Sequence, residues 1–352
     1  MTVPSLQQVV QTLAQEEGFA LAGVAPIRVN GDAEHADGLP ELQYVDAWLA
    51  EGRAGEMEYL KRRDADGRLL RSSVTVPFPW VRSVVVCAVN YHCDQPYSLD
   101  PVPAEQQPAG WVARYAWSGT PAPTAADPDR LAPTDYHAVI RGRLERLRAA
   151  MAGELGEFQA RCFVDTGPLV ERVYAKYAGL GWLGKNTCLI GQQTGSWLFL
   201  GVLLTSLDLP VEQHAALAPD RCGSCTRCID ACPTQALEPY RMDASRCIAY
   251  LTIEKRGDLP EELAALAGRH VFGCDICQEV CPWNRRAPFG DWPELQPRSE
   301  LVNPALDWLA SIDAEKFRGM FRDSPLERTK HKGLVRNAEN ALQNASREKH
   351  SR

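Results

Sequence analysis

The chain has 352 residues, 45% of them hydrophobic, and a formal net charge of −7 at pH 7. That length predicts two or three domains, and the hydrophobic content is ordinary for a soluble globular protein. The acidic balance argues against a generic nucleic-acid binder, but the charge is uneven: from Lys316 to Arg352 ten Lys/Arg stand against four Asp/Glu, about +6, which leaves about −13 on the rest. Such a basic tail is either a footprint for a polyanion or a solvated helical face.

The opening Met1-Thr2-Val3-Pro4-Ser5 carries neither a basic n-region nor an apolar h-region. The most apolar run, Trp197 to Leu204, is far too short to span a bilayer. A cytosolic protein with no membrane partner is therefore expected, and its twelve cysteines are expected as thiols rather than disulfides.

In chain order, Ser5 reads as an N-cap, with Leu6, Val9, Val10 and Leu13 at helical spacing and Gly18 as the stop. Phe19 to Val24 reads as a strand, and Leu42 to Leu60 as a helix interrupted by Gly52 and Gly55. Arg82 to Asn90 is a Val-rich buried strand, with Cys87 a small core residue. Residues 94–110 and 119–134 are rich in Pro, Ala, Asp and Gln and read as loops. Thr134 or Asp135 then caps a helix with Val139, Ile140, Leu144 and Leu147 on one face. Alternating strands and helices point to an α+β or α/β fold.

Arg161 to Asp165 reads as a strand running into Thr166-Gly167-Pro168, with a helix starting at Pro168 or Leu169. A carboxylate there is placed for chemistry, and equally placed to cap the helix. The run Gly179-Leu-Gly181-Trp-Leu-Gly184-Lys185-Asn186-Thr187 matches G-x-G-x-x-G and nearly matches a P-loop. Both are rejected, because a helix pattern precedes it and a strand (Thr187 to Ile190) follows, the reverse of the required context. It reads as a turn whose backbone packs against something bulky, a cofactor or another helix. Gly195 to Leu207 is a further strand, and Leu207 to Pro219 a linker.

Beyond the linker comes Cys222-x2-Cys225-x2-Cys228-x3-Cys232-Pro233, then Cys247, then Cys274-x2-Cys277-x3-Cys281-Pro282. This is the bacterial ferredoxin pattern, in which the fourth cysteine of a run ligates the other cluster. The second run lacks its first cysteine, since Val271 stands there, and Cys247 fills the vacancy. Two 4Fe–4S clusters follow: Cys222, Cys225, Cys228 and Cys281 on one, and Cys232, Cys247, Cys274 and Cys277 on the other. Zinc sites usually separate two cysteine pairs by a longer loop. After Cys281 comes a Pro/Trp-rich connector and then a helical tail with Leu334, Ala338 and Leu342 on one face.

Several motifs occur in a fixed order: Arg114-Tyr-Ala-Trp117, Asp135-Tyr-His137, Asp165-Thr-Gly-Pro-Leu169 and the glycine-rich run to Thr187. Cys247-Ile-Ala-Tyr-Leu-Thr-Ile-Glu254 and Gly273-Cys-Asp-Ile-Cys-Gln-Glu-Val-Cys-Pro-Trp-Asn284 complete the set. Over nearly the whole chain it resembles the epoxyqueuosine reductases. The resemblance implies an α+β protein with a nitroreductase/reductive-dehalogenase-like cobalamin-binding domain (1–208). A bacterial two-4Fe–4S ferredoxin-like domain (209–292) and a short, basic helical region (293–352) would follow.

The implied reaction removes the epoxide oxygen of epoxyqueuosine at the wobble base of tRNA, the final step of queuosine biosynthesis. Electrons from an unidentified low-potential donor would pass through the clusters to cobalamin, with Asp165 as proton donor. Arg114, Lys185, Asn186 and Thr187 would contact cobalamin or its nearby backbone, and Ile248 and the Cys274–Asp275 turn would lie against the corrin. Lys255 and Arg256 are the expected phosphate contacts, extended by Arg328, Lys330, Lys332 and Arg336, and the protein is expected as a monomer. Three features depart from the family pattern: residues 119–134 look inserted, Val202 stands where an acidic residue is common, and the tail is short. The rival readings are a reductive-dehalogenase-like reductase of a small molecule and a non-enzymatic electron carrier.

Overall fold

Ser5 opens the first helix, α1 (Leu6–Glu16), through a capping box: its Oγ accepts from the Gln8 N–H at 3.2 Å, while its own N–H donates to Gln8 Oε1 at 2.8 Å. The structure, a computed structural model, describes residues 5–28, 39–210 and 217–350, and the side chains as far as residue 347. Met1–Pro4 and residues 211–216 of the expected linker lie outside the described residues. By compactness the chain forms two units, the first made of 1–90, 137–225 and 285–288, the second of 91–136, 226–284 and 289–352. The boundaries expected near residues 208 and 292 follow the succession along the chain, and the units cut across them.

In the first unit, α2 (Tyr44–Ala50) is much shorter than the helix expected over Leu42 to Leu60. The chain leaves it at Glu51, turning through Gly52 and Gly55 at φ 73° and 55°, before a 3-10 turn at Glu58–Lys61. Two glycines in left-handed geometry end a helix rather than interrupt it. The unit is built on a four-stranded sheet, in the order Leu21–Pro26, Ser83–Asn90, Leu198–Thr205, Ala160–Phe163. Every neighbouring pair is antiparallel, which makes the fold α+β. All eight residues of Ser83–Asn90 are buried, as befits a central strand covered on both faces. Val84, Val86, Val202 and Leu204 share a core with Val173, Tyr174 and Ala175 of α4 (Glu171–Tyr177). The helix α3 (Tyr136–Leu155) covers the alternate face through Ile140, Leu144 and Leu147, three of the four residues its periodicity singles out, while Val139 is only partly buried.

The second unit corrects one expectation. Within residues 119–134, Ser118–Pro121 and Leu131–Pro133 pair antiparallel as a hairpin, and Gln296–Pro297 adds a third strand. Proline-rich composition hides these strands, because they are short and lie in a small three-stranded sheet. Residues 94–110 are irregular apart from a 3-10 turn at Ala104–Gln106 and an isolated bridge of Ala109 to Ala305, as expected of a loop. His270–Phe272 pairs parallel with Trp111–Val112.

Around this pair lie short helices: α5 (Arg227–Asp230), α6 (Ile248–Ile253), α7 (Glu261–Leu266), α8 (Ile276–Glu279), α9 (Leu306–Ser311) and α10 (Ala314–Phe321). The long α11 (Lys330–His350) closes the core, with Leu334 and Ala338 fully buried and Leu342 packed against them. On the same helix Asn337 is buried and donates to the carbonyls of Thr252 and Val271, both at 2.8 Å. Val271, the position of the missing cysteine, is thus a core strand residue. No helix among the described residues is long and apolar enough to cross a membrane.

Candidate active site

Asp165 follows the strand Ala160–Phe163 and adopts φ 56°, a region uncommon for non-glycine residues. The N-cap of α4 is Val170 and carries no side-chain cap bond, so Asp165 does not cap that helix. Its side chain is 70% exposed, and Oδ2 lies 3.6 Å from Nε2 of His137 on the first turn of α3. Arg71 braces the loop from far along the chain, donating to the carbonyls of Gly167 at 3.0 Å and Tyr59 at 2.9 Å. Glu171, the first residue of α4, has Oε1 sealed from solvent without a hydrogen-bond partner among the described residues. Burial, and then the charge of Asp165, push Glu171 up to about 7, against its own N–H, Arg71 and Arg172.

His137, Arg71 and Glu171 are residues to which the sequence reading gives no role. His137 sits in the Asp135-Tyr-His137 motif and so carries a signal, whereas Glu171 stands two residues beyond the Asp165-Thr-Gly-Pro-Leu169 motif, outside it. Arg71 carries none, because only tertiary folding brings it to this loop.

The glycine-rich run folds as a hairpin of Trp182–Leu183 against Leu189–Ile190. A Cβ on Gly181 would stand 2.2 Å from the Ile190 carbonyl oxygen, so the close approach is to the hairpin's own second strand. The turn of this hairpin carries three of the expected site residues. Lys185 Nζ donates to the carbonyls of Gly223 at 2.6 Å and Cys225 at 3.1 Å, in the first cysteine run. Asn186 is buried, and its Oδ1 accepts from the Cys188 N–H at 3.2 Å. Thr187 sits at φ 64°, and its carbonyl accepts from Arg172 Nη1 at 3.0 Å, which ties it to α4.

In the second unit Arg114 is buried and spends its guanidinium on the protein. Nη1 donates to the Cys93 carbonyl at 2.8 Å and Nη2 to those of Gln95 and Pro96 at 3.0 Å. The group also lies over the Trp117 ring, 4.8 Å from its centroid. Asp275 is equally buried, and Oδ2 accepts from the Arg114 backbone N–H at 2.7 Å and from Trp111 Nε1 at 3.1 Å. Burial pushes Asp275 up to about 6, against these bonds and the Arg114 charge. Ile248 is buried at the start of α6. Arg114 and Asp275 therefore shape backbone, as the expectation of contact with cobalamin or its nearby backbone allows for Arg114.

All twelve cysteines are free thiols, and Cys87 is buried in the sheet. Cys228 lies on α5 and Cys277 on α8, and these two helices pack together, so the two runs meet as paired half-motifs. Burial raises the Cys274 thiol well above its ordinary value, and the neighbouring Cys247 raises it further. That proximity suits the expected sharing of one cluster, in which both become thiolates. Cys232 Sγ accepts from the Ala236 N–H at 3.4 Å, a bond of the kind that tunes cluster sulfurs. Among the described residues no group of three or more His, Cys, Asp or Glu side chains is arranged to hold a metal ion. A cubane holds its four thiolates farther apart than a lone ion does.

The basic residues fall into two kinds. Arg336 donates to the carbonyls of Lys255 at 3.0 Å and Leu251 at 2.8 Å, and Arg256 to those of Arg328 at 3.0 Å and Thr329 at 3.3 Å. Arg328 makes a bidentate pair with Glu254 at 2.9 and 3.0 Å. These arginines brace α11 and the turn before it against the end of α6. Lys330 and Lys332 are exposed and Lys255 is half-buried, all near that junction.

The family model "4Fe-4S double cluster binding domain" matches residues 221–284, and "Epoxyqueuosine reductase QueG, DUF1730" matches 71–166. The epoxyqueuosine reductase of Xanthomonas campestris pv. campestris is 37% identical over 338 residues, which are 96% of this chain and 86% of that protein. That of Synechocystis sp. is 37% identical over 328 residues, 91% of this chain and 100% of its own. A crystal structure of epoxyqueuosine reductase with an epoxyqueuosine-modified tRNA-Tyr stem loop superposes with TM-score 0.77 at 27% identity, covering 96% of this chain and 81% of that one. The chain, an oxidoreductase with a double-cluster domain, belongs to the epoxyqueuosine reductase family.

Proposed function

We propose that this chain reduces epoxyqueuosine to queuosine at the wobble position of tRNA, with Asp165 as the proton donor. The observation that carries this reading is Asp165 itself: exposed, in left-handed geometry, relieved of any capping duty and braced by His137 and Arg71. Family membership and the stem loop bound by a relative support the substrate.

Loss of the epoxide oxygen needs two electrons and a proton. Two 4Fe–4S clusters, held by Cys222, Cys225, Cys228 and Cys281 and by Cys232, Cys247, Cys274 and Cys277, would carry electrons singly from a low-potential donor. Cobalamin, when bound, supplies the metal centre that delivers the electron pair to the substrate. Asn186 and Thr187 on the hairpin turn would hold its neutral amides through amide, hydroxyl and backbone groups, and Ile248 and the Cys274–Asp275 turn would offer apolar and backbone surface. Arg114 and Asp275 act one step removed, by holding that backbone.

As the C–O bond breaks, its oxygen gains alkoxide character, and the Asp165 carboxyl protonates it. His137 orients Asp165, and Arg71 fixes the loop that bears it. Lys255, Lys330 and Lys332 meet tRNA phosphates in a salt-sensitive grip. Arg256, Arg328 and Arg336 serve that grip by fixing α11. A splayed wobble base reaches the carboxyl. The protein works as a cytosolic monomer, with the 1–208 segment as cobalamin domain, 209–292 as cluster domain and 293–352 as tRNA-binding tail.

Expression in a bacterium deleted for its own epoxyqueuosine reductase tests the reading. Digested tRNA should change from epoxyqueuosine to queuosine, and tRNA that keeps the epoxide would overturn it.

A further inference from the structure

The glycine-rich run carries a cation to the first cysteine run. In its turn the Gly184 N–H donates to the Cys188 carbonyl at 2.8 Å and the Thr187 N–H to the Gly184 carbonyl at 2.8 Å, so the backbone on both sides of Lys185 is pinned. From there the half-buried Lys185 reaches across, and its Nζ donates to the carbonyls of Gly223 at 2.6 Å and Cys225 at 3.1 Å. The loop it grips is itself a tight turn: the Cys225 N–H donates to the Cys222 carbonyl at 3.0 Å, and Gly223 sits at φ 50°. Any long side chain with an N–H could brace this turn. What an ammonium adds is a full charge beside two expected thiolate ligands. The same loop carries the Asp220 carboxylate, whose Oδ1 accepts from the Cys222 N–H at 2.8 Å, so the cation stands among anions.

We infer that Lys185 tunes the cluster held by Cys222, Cys225, Cys228 and Cys281: its charge makes that cluster easier to reduce, and so favours the entry of electrons from the low-potential donor. This rests on the assignment of Cys222 and Cys225 to a cluster given above. Four thiolates make such a site anionic, and net charge is one of the levers on a cluster's potential. Reduction adds one electron from the donor and hence one more negative charge, with no bond formed or broken and no proton moved. A cation fixed on the carbonyl of a ligand residue favours that more negative form. At the effective dielectric of a protein surface, a unit charge about 10 Å from the added electron is worth about a tenfold change in the ratio of reduced to oxidised cluster. Lys185 is thus a tuning residue that acts through the loop it holds and touches neither substrate nor the reacting atoms.

The test uses the full-length chain with both clusters and no substrate. Lys185→Gln keeps a donor without the charge, Lys185→Met keeps the length and loses both, and Lys185→Arg keeps the charge. Each protein is poised anaerobically at a series of potentials with dithionite and mediator dyes, and its reduced clusters are read by electron paramagnetic resonance. The Gln and Met variants should keep about eight irons per chain. One of their two reduction steps should move to lower potential: at a fixed potential the ratio of reduced to oxidised cluster falls about tenfold, or about 59 mV for a one-electron couple. The other step should move less, and Lys185→Arg should keep both steps close to the wild type. Gln and Met variants that overlay the wild type with iron intact would overturn the inference, and so would equal shifts of both steps. Should these two lose iron, Lys185→Arg decides alone: iron and wild-type steps there uphold the inference, whereas lost iron or a lowered step shows that the loop needs the shape of lysine and refutes it. A wild-type chain that takes up no iron would instead sink the cluster assignment. Failure of the wild type to reduce epoxyqueuosine would sink the functional reading, while the reduction steps still decide the role of Lys185.

Discussion

The buried carboxylate of Asp275 accepts the backbone N–H of Arg114 at 2.7 Å, joining the second cysteine run to the Arg114-Tyr-Ala-Trp117 motif within one unit. The same oxygen takes Trp111 Nε1 at 3.1 Å, so a single side chain satisfies two buried donors. Asp275→Ala would strand both, at about 2–4 kcal/mol. Asp275→Asn keeps an acceptor and should lose less. Denaturant titration of the two variants checks the order, and an Ala variant as stable as the wild type would contradict it.

Asp165→Asn should bind cobalamin and keep both clusters, yet lose about 10²–10⁴-fold in single-turnover rate. Cofactor content and rate are measured on one preparation. An unimpaired rate would remove Asp165 from the mechanism.

Cys247 stands in for the cysteine that Val271 cannot supply. Cys247→Ala should reduce iron from about eight to about four per chain. Unchanged iron would sink the ligand assignment.

The two kinds of basic residue should separate cleanly. Lys330→Ala with Lys332→Ala should weaken tRNA binding and flatten its salt dependence by about one to two phosphate contacts, without loss of stability. Arg336→Ala should instead cost about 1–3 kcal/mol of stability, because the part-buried carbonyls of Leu251 and Lys255 lose their donor. Filter binding across a salt series, paired with thermal melts, distinguishes them.

Glu171 gives stability a pH dependence. Its folded value of about 7 lies above the ordinary 4.5, so between these the folded state binds more protons than the unfolded chain. That contribution is complete below about pH 4.5 and is lost as pH rises through 7. Glu171→Gln removes the loss and should narrow the gap in stability between pH 5 and pH 8 by roughly 1–3 kcal/mol. Melts at both pH values report it, and an unchanged gap would contradict the burial of the group.

The most legible parts of the chain were those whose chemistry is local. Cysteine spacing pointed to the double-cluster domain, Ser5 to the first cap, and the Val-rich run to the central strand. The hairpin within residues 119–134 was not legible, since its strands are two to four residues long, proline-rich and complete only with Gln296–Pro297. Arg71 and Glu171 were missed because their roles come from tertiary neighbours. Arg256, Arg328 and Arg336 look like a phosphate footprint in sequence, but folding turns their guanidinium groups toward carbonyls and Glu254.

The most direct measurement is anaerobic single turnover with the purified chain. Cobalamin, a low-potential reductant and tRNA carrying epoxyqueuosine are supplied, and the digested nucleosides are read by mass spectrometry. The account predicts loss of one oxygen mass, dependent on cobalamin. Epoxyqueuosine left intact, with both clusters present and cobalamin bound, would contradict it.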